Sequence, residues 1–171
     1  MAQWFEEFLN VSAALYGTAI ALSFISWALV TAHYIWPELR RRSRVEALRP
    51  LLLLHSFRFV GLAFLVPGVV SPELPIAFAN RAAYGDLLAA ILAMLALATG
   101  LERGLGIALV WAFNLCGIAD LLYAFYQGNH VGLEPGRLGA AYFIVTLIVP
   151  LLFITHGLVF RLLLRGDVAR G

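Results

Sequence analysis

Lysine is absent from this chain, and all 12 basic side chains are arginine. Without a lysine amine no retinal Schiff base forms, so that branch of membrane photochemistry is excluded. Cysteine is nearly absent too: Cys116 stands alone, which rules out an internal disulfide and dithiol redox chemistry. Charge of either sign is scarce, at 13% of residues, where soluble domains carry about 25%. A phosphate-binding glycine loop, a CxxC pair and an HExxH helix are all missing, which removes most soluble cofactor and protease chemistries. Serines occur near the N-terminus, but no nucleophile elbow surrounds them, so no Ser-His-Asp hydrolase is identifiable.

What the 171 residues have instead is apolar length: they are 62% hydrophobic, with a mean hydropathy of +0.88. A helix needs about 20 apolar residues to cross a hydrocarbon core of about 30 Å. Five stretches qualify, at approximately 11–36, 48–70, 79–99, 105–127 and 138–164. Helices are expected, because lipid leaves every backbone amide to be satisfied within its own segment and no alternating barrel pattern is present. The expected fold is all-α, a single five-helix transmembrane domain spanning 1–171 with the lipid bilayer as its partner.

The formal net charge of +2 and the pI near 9.0 point to topology, not to a nucleic-acid partner. Arg40, Arg41, Arg42, Arg44 and Arg49 crowd the first loop, Arg103 follows the third span, and Arg161, Arg165 and Arg170 close the chain. On the opposite side stand Arg81 and Arg137. The positive-inside rule then places the N-terminus outside and the C-terminus in the cytoplasm, with Tyr34 and Trp36 as an inner interfacial anchor. The run "RRRSR" would also attract anionic lipid, but its place between two spans favours an orienting role. The opening "MAQWFEEFLN" lacks the basic start of a cleavable signal peptide. It reads as an interfacial lead-in with Trp4, Phe5 and Phe8 on the apolar side. Asn10-Val11-Ser12 matches a glycosylation sequon, yet it abuts the membrane and reads as chance.

Ionisable groups at bilayer depth cost roughly 2.5–3.5 kcal/mol each on insertion scales, so they face protein or water. With a rise of about 1.5 Å per residue, His55 lies about 9 Å along its helix from Arg49, and Arg58 about 5 Å deeper, near the midplane. Asp86 and Asp120 fall in the outer third, His156 and His33 in the inner third. The expected layering is carboxylates outside, arginine between, imidazoles inside. Arg58 is long enough to reach toward both acids, which would explain an arginine at mid-membrane, and it would keep Asp86 or Asp120 ionised. A bland alternative is an ion pair that sets helix register and adds little stability. One pair would suffice for register, whereas this chain carries more.

The helical period places Ser12, Tyr16, Ser23, Ser26 and His33 on one stripe of the first span, and His55, Arg58 and Leu62 on one stripe of the second. Pro67-Gly68 bends or ends that second span. On the third, Gly85, Ala89 and Ala93 beside Asp86 permit close helix contact, which turns the acid toward protein. On the fourth, Asn114 and Asp120 flank Gly117, with Tyr123 one turn on. On the fifth, Tyr142, Thr146 and His156 share a sector, and Pro150 between them kinks the helix and frees a carbonyl near Thr146. Hydroxyls in such helices also bond their own backbone. His33 lies near the headgroups and reads as interfacial, and His130 belongs to a solvated loop.

The strings "HSFRFVGLAFLVPGVV", "AYGD", "FNLCGIADLLYAFYQG" and "VPLLFITH" resemble those of small multi-span bacterial membrane proteins of uncharacterised function, over most of the chain from His55 onward. The resemblance implies a bacterial inner-membrane setting and five spans, and it carries no activity. The candidate site comprises His55, Arg58, Tyr84, Asp86, Asn114, Asp120, Tyr123, Thr146 and His156. Asp/Glu/His chains across a bilayer suit proton relay. The leading expectation is therefore proton, ion or small-solute transport or permeation, with a homo-oligomer if a wide pore is formed. Two histidines at matching depth also fit the axial ligands of a b-type haem, and with His33 a three-imidazole metal site. A structural or assembly subunit of a membrane complex is the third reading.

Overall fold

The computed structural model describes residues 2–165, with side chains from 11 to 165. The side chains of Trp4, Phe5, Phe8 and Asn10, and Arg170, lie outside the described residues. Five segments are long and apolar enough to cross a membrane: Val11–Leu39, Arg44–Leu65, Ile76–Thr99, Gly104–His130 and Ile144–Leu163. In chain order, α1 (Ala2–Val30) runs through a π turn (Thr31–Ile35) into α2 (Trp36–Leu39). Next, α3 (Arg44–Ser56) continues as a 3-10 helix (Phe57–Leu65). Then come α4 (Ile76–Thr99), α5 (Gly104–His130), a 3-10 stretch (Pro135–Ala141), a second π turn (Ile144–Ile148) and α6 (Val149–Leu163). No strand occurs among the described residues.

Local chemistry accounts for the interruptions. Pro37 and Pro150 each follow a π turn by two residues. A proline ring collides with the carbonyl four residues back, here that of His33 or Thr146, and the wider π turn accommodates it. The carbonyl of Leu147, inside the second π turn, accepts the indole N–H of Trp27 at 3.0 Å. The expected disturbance by Pro150 thus becomes a docking point for the first span. That span is otherwise peripheral: 6% of its most apolar window is buried, against 33–44% for the other four. Its inward face holds Tyr16, Ser23 and Trp27, whereas Ser26 and His33 of the expected stripe are exposed.

The second span begins with a capping box, in which Ser43 Oγ accepts the Glu46 N–H and the Glu46 carboxylate accepts the Ser43 N–H. Its winding changes after Ser56. A 3-10 helix has three residues per turn, so its interior stripe is Arg58, Gly61 and Phe64, all buried. The α-helical alignment of Arg58 with Leu62 does not hold, and Leu62 is only half-buried. The span ends at Leu65, ahead of Pro67 and a turn at Gly68 with φ of +82°.

The third span is built for close approach: its buried face repeats alanine at Ala79, Ala82, Ala83, Ala89, Ala90, Ala93 and Ala96, broken by Asp86. It packs most extensively against α5 and the 3-10 helix. Two apolar clusters result. One, toward the arginine-rich end, holds Leu48, Leu52, Ala93, Phe113, Val159 and Leu162. The other, toward the far end, holds Phe64, Phe78, Ala82, Leu138 and Ile144. Along their spans Arg58, Asp86, Asp120 and His156 fall between them.

Both ends are tied. At the far end the Ala140 N–H donates to the Val69 carbonyl at 2.8 Å and the Ser71 N–H to the Arg137 carbonyl at 3.1 Å. Gly139, with φ of +53°, lets these loops interlock, since a Cβ there would strike the Val69 carbonyl. At the arginine-rich end the Arg161 guanidinium sits 3.9 Å over the Trp36 ring. Arg49 meets Glu102 at 2.9 Å, both exposed. The backbone N–H of Glu102 and then Arg49 hold that carboxyl below the usual glutamate range. The pair therefore contributes above that range and is lost as pH falls through it, and in the open it contributes little.

Candidate functional site

A guanidinium is a planar fork with five donors and no acceptor, and the nitrogens of Arg58 reach three neighbouring helices. Its Nε donates to Asp86 Oδ1 on α4 at 2.7 Å, and Nη2 lies 2.7 Å from the same oxygen. Nη2 donates to Asp120 Oδ2 on α5 at 2.9 Å. Nη1 meets His156 Nε2 on α6 at 3.0 Å and the Gly117 carbonyl at 3.5 Å. Arg58 is 2% exposed, so four spans converge on one cation shielded from lipid.

The hydrogen bonds assign the imidazole states. Because Arg58 only donates, His156 Nε2 must present a lone pair. Its proton is then on Nδ1, donated to Asn114 Oδ1 at 2.7 Å, and the ring is neutral. Next to it stands His55, ring centroids 4.3 Å apart, with Phe113 against both. The Thr155 hydroxyl donates to the Leu151 carbonyl at 2.8 Å and so accepts from His55 Nε2 at 2.9 Å. His55 Nδ1 is left as a buried lone pair, and Asn114 Nδ2 as a buried donor, each without a partner among the described residues.

Three glycines make room for these groups. A Cβ on Gly61 would run into Asp86, one on Gly85 into Asp120, and one on Gly117 into both His156 and Arg58. Each charged or imidazole group therefore lies directly on the backbone of a neighbouring helix. Gly61 and Thr155 are not singled out by the sequence. A glycine one 3-10 turn after Arg58 was the available signal for the first, and Thr155, adjacent to His156, for the second.

On the far side of Arg58 a cavity of about 340 Å³ opens between the spans. Asp86 and Asp120 line it, with Tyr16, Phe64, Phe78 and Phe125 among its walls. Each acid uses one oxygen on Arg58. Asp86 Oδ2 and Asp120 Oδ1 have no hydrogen-bond partner among the described residues. Arg58 itself does not line the cavity, and toward the arginine-rich end the bundle is filled by Leu48, Leu52, Phe113, Val159 and Leu162.

The structure thus gathers His55, Arg58, Asp86, Asn114, Asp120 and His156. It leaves out three other candidates. Tyr84 is 57% exposed and faces away. Tyr123 lies outside the cluster, accepting from Gln127 Nε2 at 2.6 Å with Arg81 4.8 Å over its ring. Thr146 is buried but donates to the Tyr142 carbonyl of its own helix at 2.8 Å. His33 is exposed, with Nδ1 2.9 Å from the Leu29 carbonyl, apart from the other imidazoles. His130 stacks on Tyr126 at the far end.

Haem ligation does not fit the His55–His156 pair. Axial imidazoles stand on opposite faces of a porphyrin, whereas these rings touch each other, and both nitrogens of His156 are engaged. Among the described residues no three His, Cys, Asp or Glu side chains gather as a metal site.

The family described as "Domain of unknown function (DUF8737)" matches residues 15–164. No curated protein and no solved structure matches the chain.

Proposed function

This chain belongs to that family, whose description carries no activity, and from the geometry we propose that it moves protons or a small solute across a bacterial inner membrane through the Arg58 node. The observation that carries this reading is a buried guanidinium shared by two acids that line a cavity.

Arginine does not release its proton in proteins, so Arg58 is a gate in the polar chain and not a relay member. With both acids ionised it stays between them and His156. When a proton or a cavity occupant takes an acid, the attraction holding Arg58 falls. The guanidinium then shifts and opens the line to His156 and His55. The unpartnered lone pair of His55 Nδ1 supplies an acceptor on the arginine-rich side. The 3-10 winding that carries Arg58 supplies the moving part: nine residues is long for this form, and such stretches within a helix mark hinges. The packed arginine-rich half gives way in the alternate state. The arginine distribution sets that end in the cytoplasm and the N-terminus outside.

The test uses proteoliposomes carrying an imposed pH gradient, sorted for orientation by an impermeant thiol reagent against a cysteine placed at Ser43. Wild-type protein dissipates the gradient, and Asp86→Asn or Asp120→Asn abolishes the flux. Unchanged flux in both variants retires the proposal.

A further inference from the structure

The charge balance of the site points to a class of occupant. Asp86 and Asp120 bring two carboxylates, Arg58 one guanidinium, and His156 is neutral by its hydrogen bonds. One negative charge is left over on the carboxylate pair, whose second oxygens lie against Gly61 and Gly85. Asp86 is 6% exposed, and its free oxygen belongs to a residue lining the cavity. Arg81 also acts electrostatically on Asp120, but it is exposed and lies over the Tyr123 ring.

The walls narrow the class further. Tyr16, Phe64, Phe78 and Phe125 line the cavity together with the acids, and Phe64 meets Phe78 edge-on at 6.0 Å. A bare hard cation takes six or more oxygen ligands, far more than two acids and aromatic walls supply. An ammonium bearing apolar substituents needs only an anion and ring faces, which attract cations through their quadrupole. The volume of about 340 Å³ sits at the lower end of ligand pockets, roughly 300–1,000 Å³. We propose that the cavity binds a small organic monocation, an ammonium group with apolar substituents, from either a free solute or a lipid headgroup. This rests on reading the Arg58 node as a solute site.

The test is calorimetric titration of benzyltrimethylammonium into the protein in nanodiscs of phosphatidylglycerol alone, with benzyl alcohol and benzoate as neutral and anionic controls. The expected result is saturable binding of the cation only. Asp120→Asn should weaken it about tenfold or more. Phe78→Leu, which keeps an apolar wall but removes a ring, should weaken it about threefold even if the acid variant fails to fold. Adding phosphatidylcholine separates the sources: competition identifies a headgroup, and unchanged affinity a free solute, both supporting the ammonium class. Equal binding of benzyl alcohol, or no saturable cation binding, overturns it. Proton flux without ammonium binding leaves the transport reading standing and removes this one. Ammonium binding without flux does the reverse.

Discussion

Arg58 illustrates why a charge at mid-membrane is tolerated: its nitrogens are met by two carboxylates, an imidazole lone pair and a carbonyl, and none faces lipid. The cluster is not thereby a source of stability, because the desolvation of three charges offsets most of their attraction. Removing one member is a different matter, since its partners stay buried and unpaired. Arg58→Leu is expected to destabilise the protein by roughly 3–5 kcal/mol, and Arg58→Leu with Asp86→Leu and Asp120→Leu by much less. Thermal unfolding in detergent checks the order, and equal losses would show that the three do not act as a unit. Depth along each span sufficed to pick Arg58, Asp86, Asp120 and His156 from the sequence, because an ionisable group inside a bilayer must be met by protein or by water. Tyr84, Tyr123 and Thr146 had no such constraint. Tyr84 lies exposed, Tyr123 meets Gln127, and Thr146 is satisfied by its own helix.

At the scale of elements, winding decides which residues reach the interior. The change from α to 3-10 after Ser56 puts Gly61 and Phe64 in line with Arg58, and no propensity in "FRFVGLAFL" announces it. The five spans were legible because apolar length is counted directly. Their ends moved where a turn overrode hydropathy, as at Leu65, five residues short of the expected limit at 70. The three site glycines test this scale. Gly61→Ala, Gly85→Ala and Gly117→Ala each drive a Cβ into a charged or imidazole group of the site, and each is expected to cost about 1–3 kcal/mol. Gly157→Ala, one residue from His156 but with open space around it, is expected to leave the melting temperature unchanged or raise it slightly. Comparable losses at all four positions would mean that the glycines serve the backbone and not the site.

The whole molecule is asymmetric along its axis, with a cavity above the guanidinium and dense apolar packing below it. Under the transport role proposed above, such a form would take its cargo from one side and release it only by exchanging the two halves, for which the loosely packed first span leaves room. All of this depends on Arg58 joining both acids in a bilayer. The chain's aspartates are Asp86, Asp120 and Asp167, so solid-state NMR of protein in lipid, with carboxyl-¹³C aspartate and guanidinium-¹⁵N arginine, addresses the contact directly. The account predicts strong dipolar coupling to two carboxyls, those of Asp86 and Asp120, both lost in Arg58→Leu/Asp86→Leu/Asp120→Leu. A wild-type spectrum in which either carboxyl shows no coupling to arginine would contradict it.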